Sequence, residues 1–289
     1  MKTFKEKSFQ TITYTAALFT VACLLGIIFG LFREGLPIFK HVGLKEFMFT
    51  NNWYPTHAEP GFGALALIVG SLVVTLGSLI IAIPLGLGAA IFLSEMAGPR
   101  LREITKPVIE LLAGIPSVVY GLFGMAFLAP LVREWFDLDT GLNVFTASLI
   151  LGVMIVPVIC SMGEDALSSV PKNLREASLA LGATRAETIF KAVIPAAKNG
   201  LAGSVLMGFG RAIGETMVVL MVAGGAARIP SSIFDPVRPL TSTIAAEMGE
   251  TVMGDLHYQS LFALAIILFL ITFVSNLITE SMLLKRGKK

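Results

Sequence analysis

Charged residues are scarce in this sequence. Asp, Glu, Lys and Arg make up 15% of the 289 residues, whereas hydrophobic residues make up 55%. A soluble globular domain usually carries about 25% charged residues. The composition therefore excludes an ordinary soluble protein and favours a chain embedded in a lipid bilayer. The formal net charge of +2 gives no electrostatic reason to expect a nucleic-acid partner.

Cysteines and catalytic motifs are also few. Cys23 and Cys160 both fall within apolar runs, so we expect small core residues rather than a disulfide or a metal site. No G-x-x-x-x-G-K-[ST] loop is present, so the chain has no ATP site of its own. His41, His57 and His257 lie in predicted loops and form no recognisable catalytic or metal-ligating set. The sequence predicts neither an enzyme nor a cofactor site.

What the sequence does contain is six long apolar runs, each about long enough to cross a bilayer as a helix. They cover residues 12–32, 62–93, 107–132, 144–162, 201–225 and 259–284. A cleaved signal peptide is the alternative for the first run, but no small-residue cleavage site follows it. The runs predict an all-α membrane protein with six transmembrane helices.

The distribution of Lys and Arg predicts the orientation of these helices. Six spans place both termini on one side. If that side is the cytoplasm, the cytoplasmic segments hold fifteen of the 22 basic residues and the opposite segments hold six. Cytoplasmic loops carry an excess of Lys and Arg, so we expect both termini and the segment 163–199 to be cytoplasmic.

The segment 163–195 is polar although apolar runs flank it, and its capping signals predict two short helices with a sharp turn between them. We expect Ser169 to cap the first helix, with Pro171 in its opening turn. Gly182 can take the left-handed conformation that ends a helix. Thr184 then starts the second helix, and Glu187 completes a capping box. We call this helix–turn–helix segment the elbow.

The elbow has two alternative interpretations. A DNA-reading helix-turn-helix over residues 174–193 would need a basic face with access to a groove. A plain connecting loop is the other alternative.

A spaced pattern argues against both alternatives. Glu-Ala-Ser is followed by a Gly and then by an Ile-Pro pair, and this spacing resembles the EAA loop of ATP-binding-cassette (ABC) importer permeases, with Ser in place of the second Ala. In that family the loop docks into a groove on the cytoplasmic ATPase. The resemblance therefore implies ATPase-coupling contacts within the elbow. The coupling residues implied are Glu176, Ala177, Ser178, Gly182 and Pro195.

Arg211 and Glu215 lie inside the fifth apolar run, spaced i, i+4, and so are expected to share one helix face. Charges at that depth are costly and usually face a cavity or a partner. A structural ion pair, or an Arg that snorkels to the interface, is the alternative. The guanidinium fork matches a tetrahedral oxyanion. The carboxylate could accept a hydrogen bond from hydrogen phosphate, which carries a donor that sulfate lacks. The pair predicts a phosphate pathway.

Glycines and aromatic residues suggest further packing. Gly86 and Gly88 in the second run, and Gly210 and Gly214 in the fifth, would allow close helix contact. Aromatic residues in the loop 33–61 suggest a segment that lies at the membrane interface. They include Phe47, Phe49, Trp53 and Tyr54.

Two further segments carry a more specific resemblance. LLAGIPSVVYGLFG (residues 111–124) and GRAIGETMVVLMVAGG (residues 210–225) resemble phosphate-specific permeases of bacterial ABC importers. The aromatic loop is more similar to the C-type subunit than to its A-type partner. The resemblance implies a type I ABC importer permease fold with a cytoplasmic coupling helix–turn–helix, in the inner membrane. It also implies that Arg211 and Glu215 are tied to transport.

The same resemblance implies a set of partners. These are an A-type permease subunit, two copies of a cytoplasmic ATP-binding subunit and an extracytoplasmic phosphate-binding protein. We expect residues 1–61 to form an N-terminal tail, span and loop, and residues 62–289 a five-helix permease core. A permease for molybdate or sulfate remains an alternative. An ion-coupled secondary transporter or a membrane-embedded enzyme is a further one, although neither needs an elbow that docks an ATPase.

Overall fold

The computed structural model describes residues 2–284, and the four basic residues within 285–289 that were used in the orientation prediction lie outside this range. The described chain is mostly helical. Its helices are α1 (Lys2–Gly35), α2 (Leu44–Phe49), α3 (Leu65–Ile91), α4 (Pro99–Ala113), α5 (Ser117–Phe123), α6 (Ala129–Trp135), α7 (Val144–Ser168), α8 (Lys172–Ala180), α9 (Arg185–Thr188), α10 (Ile194–Ile213), α11 (Met217–Val222), α12 (Leu240–Glu247) and α13 (Leu256–Leu284).

Short irregular elements join these helices. The strands β1 (Trp53–Tyr54) and β2 (Gly61–Phe62) form an antiparallel pair, which crosses the expected boundary at residue 61. The 3-10 turns cover Leu36–Lys40 and Met248–Glu250, and the π-helical turns cover Phe92–Met96, Gly124–Leu128 and Ile189–Val193. A π turn accommodates one extra residue within a helix, and such turns are frequent at functional sites.

The core is built on α3 and α7, which pack along most of their lengths, with α10 against both. Close approach depends on small residues. A Cβ added at Gly86 of α3 would lie 2.8 Å from the Cβ of Ile159 on α7, whereas one added at Gly88 would meet nothing within 4 Å. The predicted close contact is therefore present at Gly86 only. Leu151 and Ile155 of α7 are fully buried in the same interface.

The all-α class is confirmed, but the count of six spans is not. Five helical stretches of the described chain are long and apolar enough to cross a membrane. They are Ser8–Lys40, Leu65–Met96, Ser117–Trp135, Val144–Ser168 and Leu256–Ile278. The run at 107–132 is divided because α4 ends at Ala113. The run at 201–225 is divided because α10 ends at Ile213 and α11 begins at Met217.

The aromatic loop after α1 differs from the prediction. Phe47 and Trp53 are buried, with ring centroids 6.5 Å apart, and Phe62 continues the cluster on the other side of Trp53. Edge-to-face packing of this kind stabilises a small core. Phe49 is exposed and Tyr54 is half-exposed, so only part of the segment is free to face a membrane surface.

Two predictions about small residues are also wrong. Cys160 is buried as expected, but Cys23 is exposed on α1. A Cβ added at Gly210 would meet nothing within 4 Å, and one added at Gly214 would meet only the Gly210 carbonyl. These two glycines therefore do not form a helix-packing face within this chain.

Candidate functional site

The first element of the site is the break between α4 and α5. Pro116 has no backbone N–H and disfavours a helical conformation at Ile115, so α4 ends and the chain turns at Gly114. The last carbonyls of a helix need partners. The hydroxyl of Tyr120 on α5 donates to the Leu112 carbonyl at 3.1 Å, which ties the two short helices together.

The second element is the break between α10 and α11. The Oε1 atom of Glu215 accepts hydrogen bonds from the backbone N–H groups of Met217 at 3.0 Å and Val218 at 3.2 Å. A continuous helix would use these N–H groups for its own ladder. The carboxylate competes with that ladder, so the helix ends at Ile213 and restarts beyond Glu215.

Arg211 connects the two breaks. Its Nη2 donates to the Ala113 carbonyl, the last residue of α4, at 3.3 Å. A cation at the C-terminal end of a helix is favoured by the partial negative charge of the free carbonyls. The side chain is otherwise exposed to the surroundings of the chain. Arg211 is thus held by one neutral acceptor rather than by an anion.

The expected shared helix face of Arg211 and Glu215 is wrong, because the helix ends between them. The alternative of an ion pair within this chain also fails. Of the ion pairs within 4.0 Å among the described residues, none joins these two side chains. Glu215 bonds backbone N–H groups and Arg211 bonds a carbonyl, so the two charges have separate partners.

The surroundings of Glu215 are tight and polar. The hydroxyl of Thr241 on α12 donates to the Glu215 carbonyl at 2.6 Å. Ser71, Thr75 and Pro239 line the adjoining cavity, whose volume of about 10 Å³ is room for a single water molecule. This cavity is therefore too small for an oxyanion, whereas the rest of the Glu215 side chain is half-exposed.

The elbow has the predicted turn and second cap. Gly182 has φ +84°, a left-handed conformation that side chains with a Cβ rarely adopt. Thr184 Oγ1 accepts from the Glu187 N–H, and the Glu187 carboxylate accepts from the Thr184 N–H, so the capping box is present. The Glu187 carboxylate also accepts from the Lys191 ammonium. The hydrogen bond from the Thr184 N–H, and then the one from Lys191, lower the pKa of Glu187 to about 2.

The predicted first cap is wrong. Ser169 ends α7, and its hydroxyl donates back to the Ala166 carbonyl at 2.7 Å. Pro171 itself occupies the N-cap position of α8, with an extended ψ of 140°. The reason is local: Val170 precedes a proline and is biased away from helix, so the chain leaves α7 before it can start α8.

The predicted coupling residues lie together on the elbow. Glu176 and Ala177 are exposed on α8, and the Ser178 hydroxyl shares a hydrogen bond of 3.0 Å with that of Thr188 on α9. Pro195 is exposed in the first turn of α10. The elbow also exposes large apolar side chains, of which Leu181 is 90% and Phe190 67% exposed. An apolar, turn-shaped surface of this kind suits a protein partner.

Sequence reasoning missed the ion pairs that hold the elbow to the helices. Arg175 of α8 forms a two-pronged contact with Glu95, with Nη2 to Oε1 at 2.7 Å and Nε to Oε2 at 3.2 Å. It also donates to the carbonyls of Val170 and Leu167. Four hydrogen bonds from one guanidinium therefore join α8, the end of α7 and the π turn that ends α3.

A second cluster joins α4 to α7. Arg102 and Lys106 both contact the carboxylate of Glu164, whose side chain is only 2% exposed. Lys106 also lies 2.5 Å from Asp165, and hydrogen bonds to Asp165 and then Glu164 raise the pKa of Lys106 above its ordinary value. A buried carboxylate needs such partners. No sequence pattern linked these residues.

A third cluster lies at the opposite end of the molecule. The carboxylate of Glu247 on α12 accepts from the Trp53 indole at 3.1 Å and from Arg238 at 2.5 Å, and it lies 2.9 Å from His257 Nε2. Sequence analysis assigned His257 no role, and this contact is a structural one. It fastens the aromatic loop to the C-terminal helices.

Comparison with known proteins places this architecture. A family model described as binding-protein-dependent transport system inner membrane component matches residues 82–283. A probable ABC transporter permease protein, YqgH of Bacillus subtilis (strain 168), is 40% identical over 92% of this chain and 86% of that protein. The phosphate transport system permease protein PstC of Mesorhizobium japonicum is 38% identical over 96% of this chain and 89% of that protein.

Solved structures show the same fold at low sequence identity. A bacterial alginate ABC transporter in complex with an alginate-bound periplasmic protein has a chain with a TM-score of 0.63 and 15% identity, covering 99% of this chain and 98% of that chain. The MetNI methionine ABC transporter, in an inward-facing conformation, has a TM-score of 0.55 and 23% identity, covering 74% of this chain and 93% of that chain.

Proposed function

This chain belongs to the family of binding-protein-dependent transport inner membrane components, with the helical fold of ABC importer permeases, and we propose that it forms one half of a channel that imports inorganic phosphate. Two PstC permeases among its relatives, 38% and 36% identical over 96% and 98% of this chain, support phosphate as the cargo. ATP hydrolysis is assigned to a separate ATPase subunit.

The observation that carries the proposal is the meeting of two broken helices at Arg211. Breaks at membrane depth are tolerated where the chain lines a cavity or a transport path. Arg211 reaches from α10 to the end of α4, and among the described residues its guanidinium has the Ala113 carbonyl as its one hydrogen-bond partner. A neutral acceptor leaves the guanidinium charge uncompensated, so an anion can replace it.

Glu215 supplies selectivity in this proposal. Its Oε1 is occupied by two backbone N–H groups, whereas Oε2 accepts no hydrogen bond from the described residues. A carboxylate oxygen repels a fully ionised oxyanion but can accept a hydrogen bond from the P–OH group of hydrogen phosphate. Arg211 would bind the phosphate oxygens through its fork, while Glu215 disfavours sulfate and molybdate.

The elbow is the proposed segment that docks into the ATPase. Glu176, Ala177 and Ser178 line α8, Gly182 makes the turn and Pro195 opens the following helix. The exposed Leu181 and Phe190 would fill a groove on the ATPase. The transport core then spans residues 62–289, with 163–199 as its coupling segment, and residues 1–61 precede it.

The proposed assembly pairs this chain with an A-type permease in a heterodimer. Two copies of a cytoplasmic ATP-binding subunit and an extracytoplasmic phosphate-binding protein complete it. The chain lies in the bacterial inner membrane as a multi-pass component, and both termini are placed in the cytoplasm with the elbow.

The functional test is uptake of labelled phosphate by the purified and reconstituted complex. Arg211→Ala should lower uptake at least about tenfold, since a charge-assisted contact is lost, while all subunits still copurify. Arg211→Lys should rescue poorly because it lacks the fork. Arg133→Ala, which removes another exposed arginine, is the matched control. Wild-type uptake by Arg211→Ala would contradict the proposal.

Competition separates phosphate from the other oxyanions. Excess sulfate or molybdate should leave phosphate uptake unchanged in the wild type and should compete in Glu215→Gln, because the amide no longer repels them. If molybdate or sulfate is itself imported by the wild type in preference to phosphate, the permease serves that anion instead.

Cysteine labelling tests the orientation. In a variant with Cys23 and Cys160 replaced by Ala, a cysteine at Ala183 in the elbow should react only with membrane-permeant reagents. One at Ser232, an exposed residue of the loop before α12, should react with impermeant reagents in spheroplasts. The reverse pattern would place the elbow outside the cell and would exclude an ATPase partner there.

A further inference from the structure

We infer that α4 is a connecting rod that transmits movement of the elbow to Arg211, with Arg175 and Glu95 as the positioning residues that attach the elbow to it. This inference rests on the proposed function, because it explains how an ATPase at the elbow controls the anion path. The structure carries it through three successive attachments along one helix.

The first attachment lies between the elbow and the start of the rod. The Arg175–Glu95 contact is two-pronged, and the two side chains are 22% and 8% exposed. Contacts between partly buried charges resist separation more than exposed ones do. Glu95 lies in the π turn that ends at Met96, and only Ala97 and Gly98 separate that turn from Pro99, the first residue of α4. A displaced α8 therefore pulls on the start of α4.

The second attachment guides the rod. Arg102 and Lys106 lie one helical turn apart on α4 and bind the same buried carboxylate, Glu164, near the end of α7. None of the fifteen residues of α4 is fully buried. Ile109 is the α4 side chain that packs against the buried apolar cluster at the end of α7, so only a small apolar contact holds the helix in place. Ion pairs of long side chains hold it while allowing it to tilt.

The third attachment lies at the far end. Fifteen residues of α-helix span about 22 Å, and the last of them, Ala113, is the acceptor for Arg211. This hydrogen bond is long, at 3.3 Å, and the residues that follow break the helix. A small tilt of α4 is therefore sufficient to take the carbonyl away from the guanidinium.

These attachments make a two-state device. With the elbow in the present position, Arg211 is held by the Ala113 carbonyl. When the elbow moves, Arg175 and Glu95 carry the start of α4 with it, the far end withdraws, and Arg211 is free to bind an oxyanion. Coupling of this kind requires an element with two arrangements that both sites bias, and α4 with its polar attachments is that element.

The test measures ATP hydrolysis and phosphate uptake together in the reconstituted complex. Glu95→Gln and Arg175→Gln should each lower the phosphate moved per ATP hydrolysed by about tenfold, while the amount of assembled complex and its ATPase rate change less than about twofold. The double variant should be no worse than Arg175→Gln alone, since that variant already removes the link to Glu95 together with the hydrogen bonds to the Val170 and Leu167 carbonyls. Lys191→Gln, which breaks the exposed ion pair with Glu187 on the same elbow, is the matched control.

A distance measurement tests the movement itself, independently of the cargo. Spin labels at Leu111, exposed near the end of α4, and at Met253, exposed in the loop before α13, should change their separation when ATP binds to the wild-type complex. The change should be absent in Glu95→Gln. An unchanged ratio of phosphate to ATP in both single variants, or an undiminished distance change in Glu95→Gln, would overturn the inference.

The two proposals fail in different ways. If the cargo is not phosphate, the wild type takes up none, yet the distance change and its loss in Glu95→Gln remain. If α4 is not a rod, the wild type imports phosphate and Glu95→Gln does so equally well.

Discussion

The interface between α3 and α7 and the meeting point of the two helix breaks are held together in opposite ways. In the interface, Gly86 lets Ile159 approach so closely that no side chain would fit between them. At the breaks themselves, single hydrogen bonds from Arg211, Tyr120 and Thr241 join the helix ends, and close packing resumes only between α5 and α11, at Gly121. Close-packed surfaces cannot deform gradually, whereas a few polar contacts can be exchanged. We infer that the interface is the fixed frame and that the breaks move.

The largest expected effect comes from filling the interface. Gly86→Val would place branched carbon atoms where Ile159 already lies, and overpacking of this kind typically costs about 1–3 kcal/mol. We expect a several-fold loss of folded permease, measured by detergent-solubilised yield and thermal stability.

Gly88→Val is the matched control, since it has the same helix propensity and meets nothing within 4 Å. Equal losses in the two variants would show that helix propensity, rather than contact with α7, sets the effect.

The next effect concerns the turn of the elbow. No atom lies within 4 Å of a Cβ added at Gly182, so only its φ of +84° opposes substitution. A left-handed conformation costs a β-branched residue roughly 1–2 kcal/mol. Gly182→Val should therefore leave the helices folded but should reduce phosphate uptake relative to ATP hydrolysis.

Gly182→Asn tests the same point more finely. Asn tolerates the left-handed conformation better than Val, so it should retain more coupling. If Gly182→Val, Gly182→Asn and the wild type all move the same amount of phosphate per ATP hydrolysed, the left-handed turn conformation is not needed for coupling.

A smaller effect is expected from the second helix break. Thr241→Val removes the hydrogen bond to the Glu215 carbonyl, a loss of about 1 kcal/mol, and should lower uptake a few-fold with little change in yield. Thr243→Val is the control, because the Thr243 hydroxyl bonds the carbonyl of Pro239 in its own helix. A loss of uptake in Thr243→Val alone would place the sensitive contact elsewhere on α12.

The smallest effect is expected at the capping box. Thr184→Ala should speed hydrogen exchange of the amides in α9 a few-fold, while Ser169→Ala should not, because Ser169 caps neither elbow helix. The pKa of Glu187 is lowered to about 2, so its contribution to the cap is present at neutral pH and is lost as the pH falls through that value. Faster exchange of the α8 amides in Ser169→Ala than in the wild type would show instead that Ser169 does cap the first elbow helix.

The features predicted from the sequence are those that depend on neighbouring residues. The turn at Gly182 and the cap at Thr184 follow from rules that act over three or four positions. The error at Ser169 has the same local origin, since Pro171 was given the role of a helix residue instead of the cap.

The breaks in the helices are harder to predict from the sequence. Residues 201–225 remain apolar across the break, so hydropathy alone predicts one continuous helix there. Only the carboxylate of Glu215 marks the interruption, by taking backbone N–H groups from the ladder. Sequence reasoning treated the same carboxylate as a partner for Arg211 at i, i+4.

Contacts between distant positions could not be predicted at all. Arg175 and Glu95 are 80 residues apart, and Arg102 and Glu164 are 62 apart. No local rule relates such positions, and without the fold each charge looks like a solvated side chain. The family resemblance nevertheless identified the right class of protein, because the elbow pattern is local as well.

The cluster at Glu247 has a consequence for the order in which the chain matures. The Trp53 indole donates to a carboxylate that lies 194 positions later in the chain. A ribosome synthesises the N-terminal part first, so the loop around Trp53 leaves the ribosome long before Glu247, Arg238 and His257 exist. During that interval the loop lacks its anchor, and its final attachment must await the last two helices. A chain truncated before α12 would therefore expose this loop to quality-control proteases.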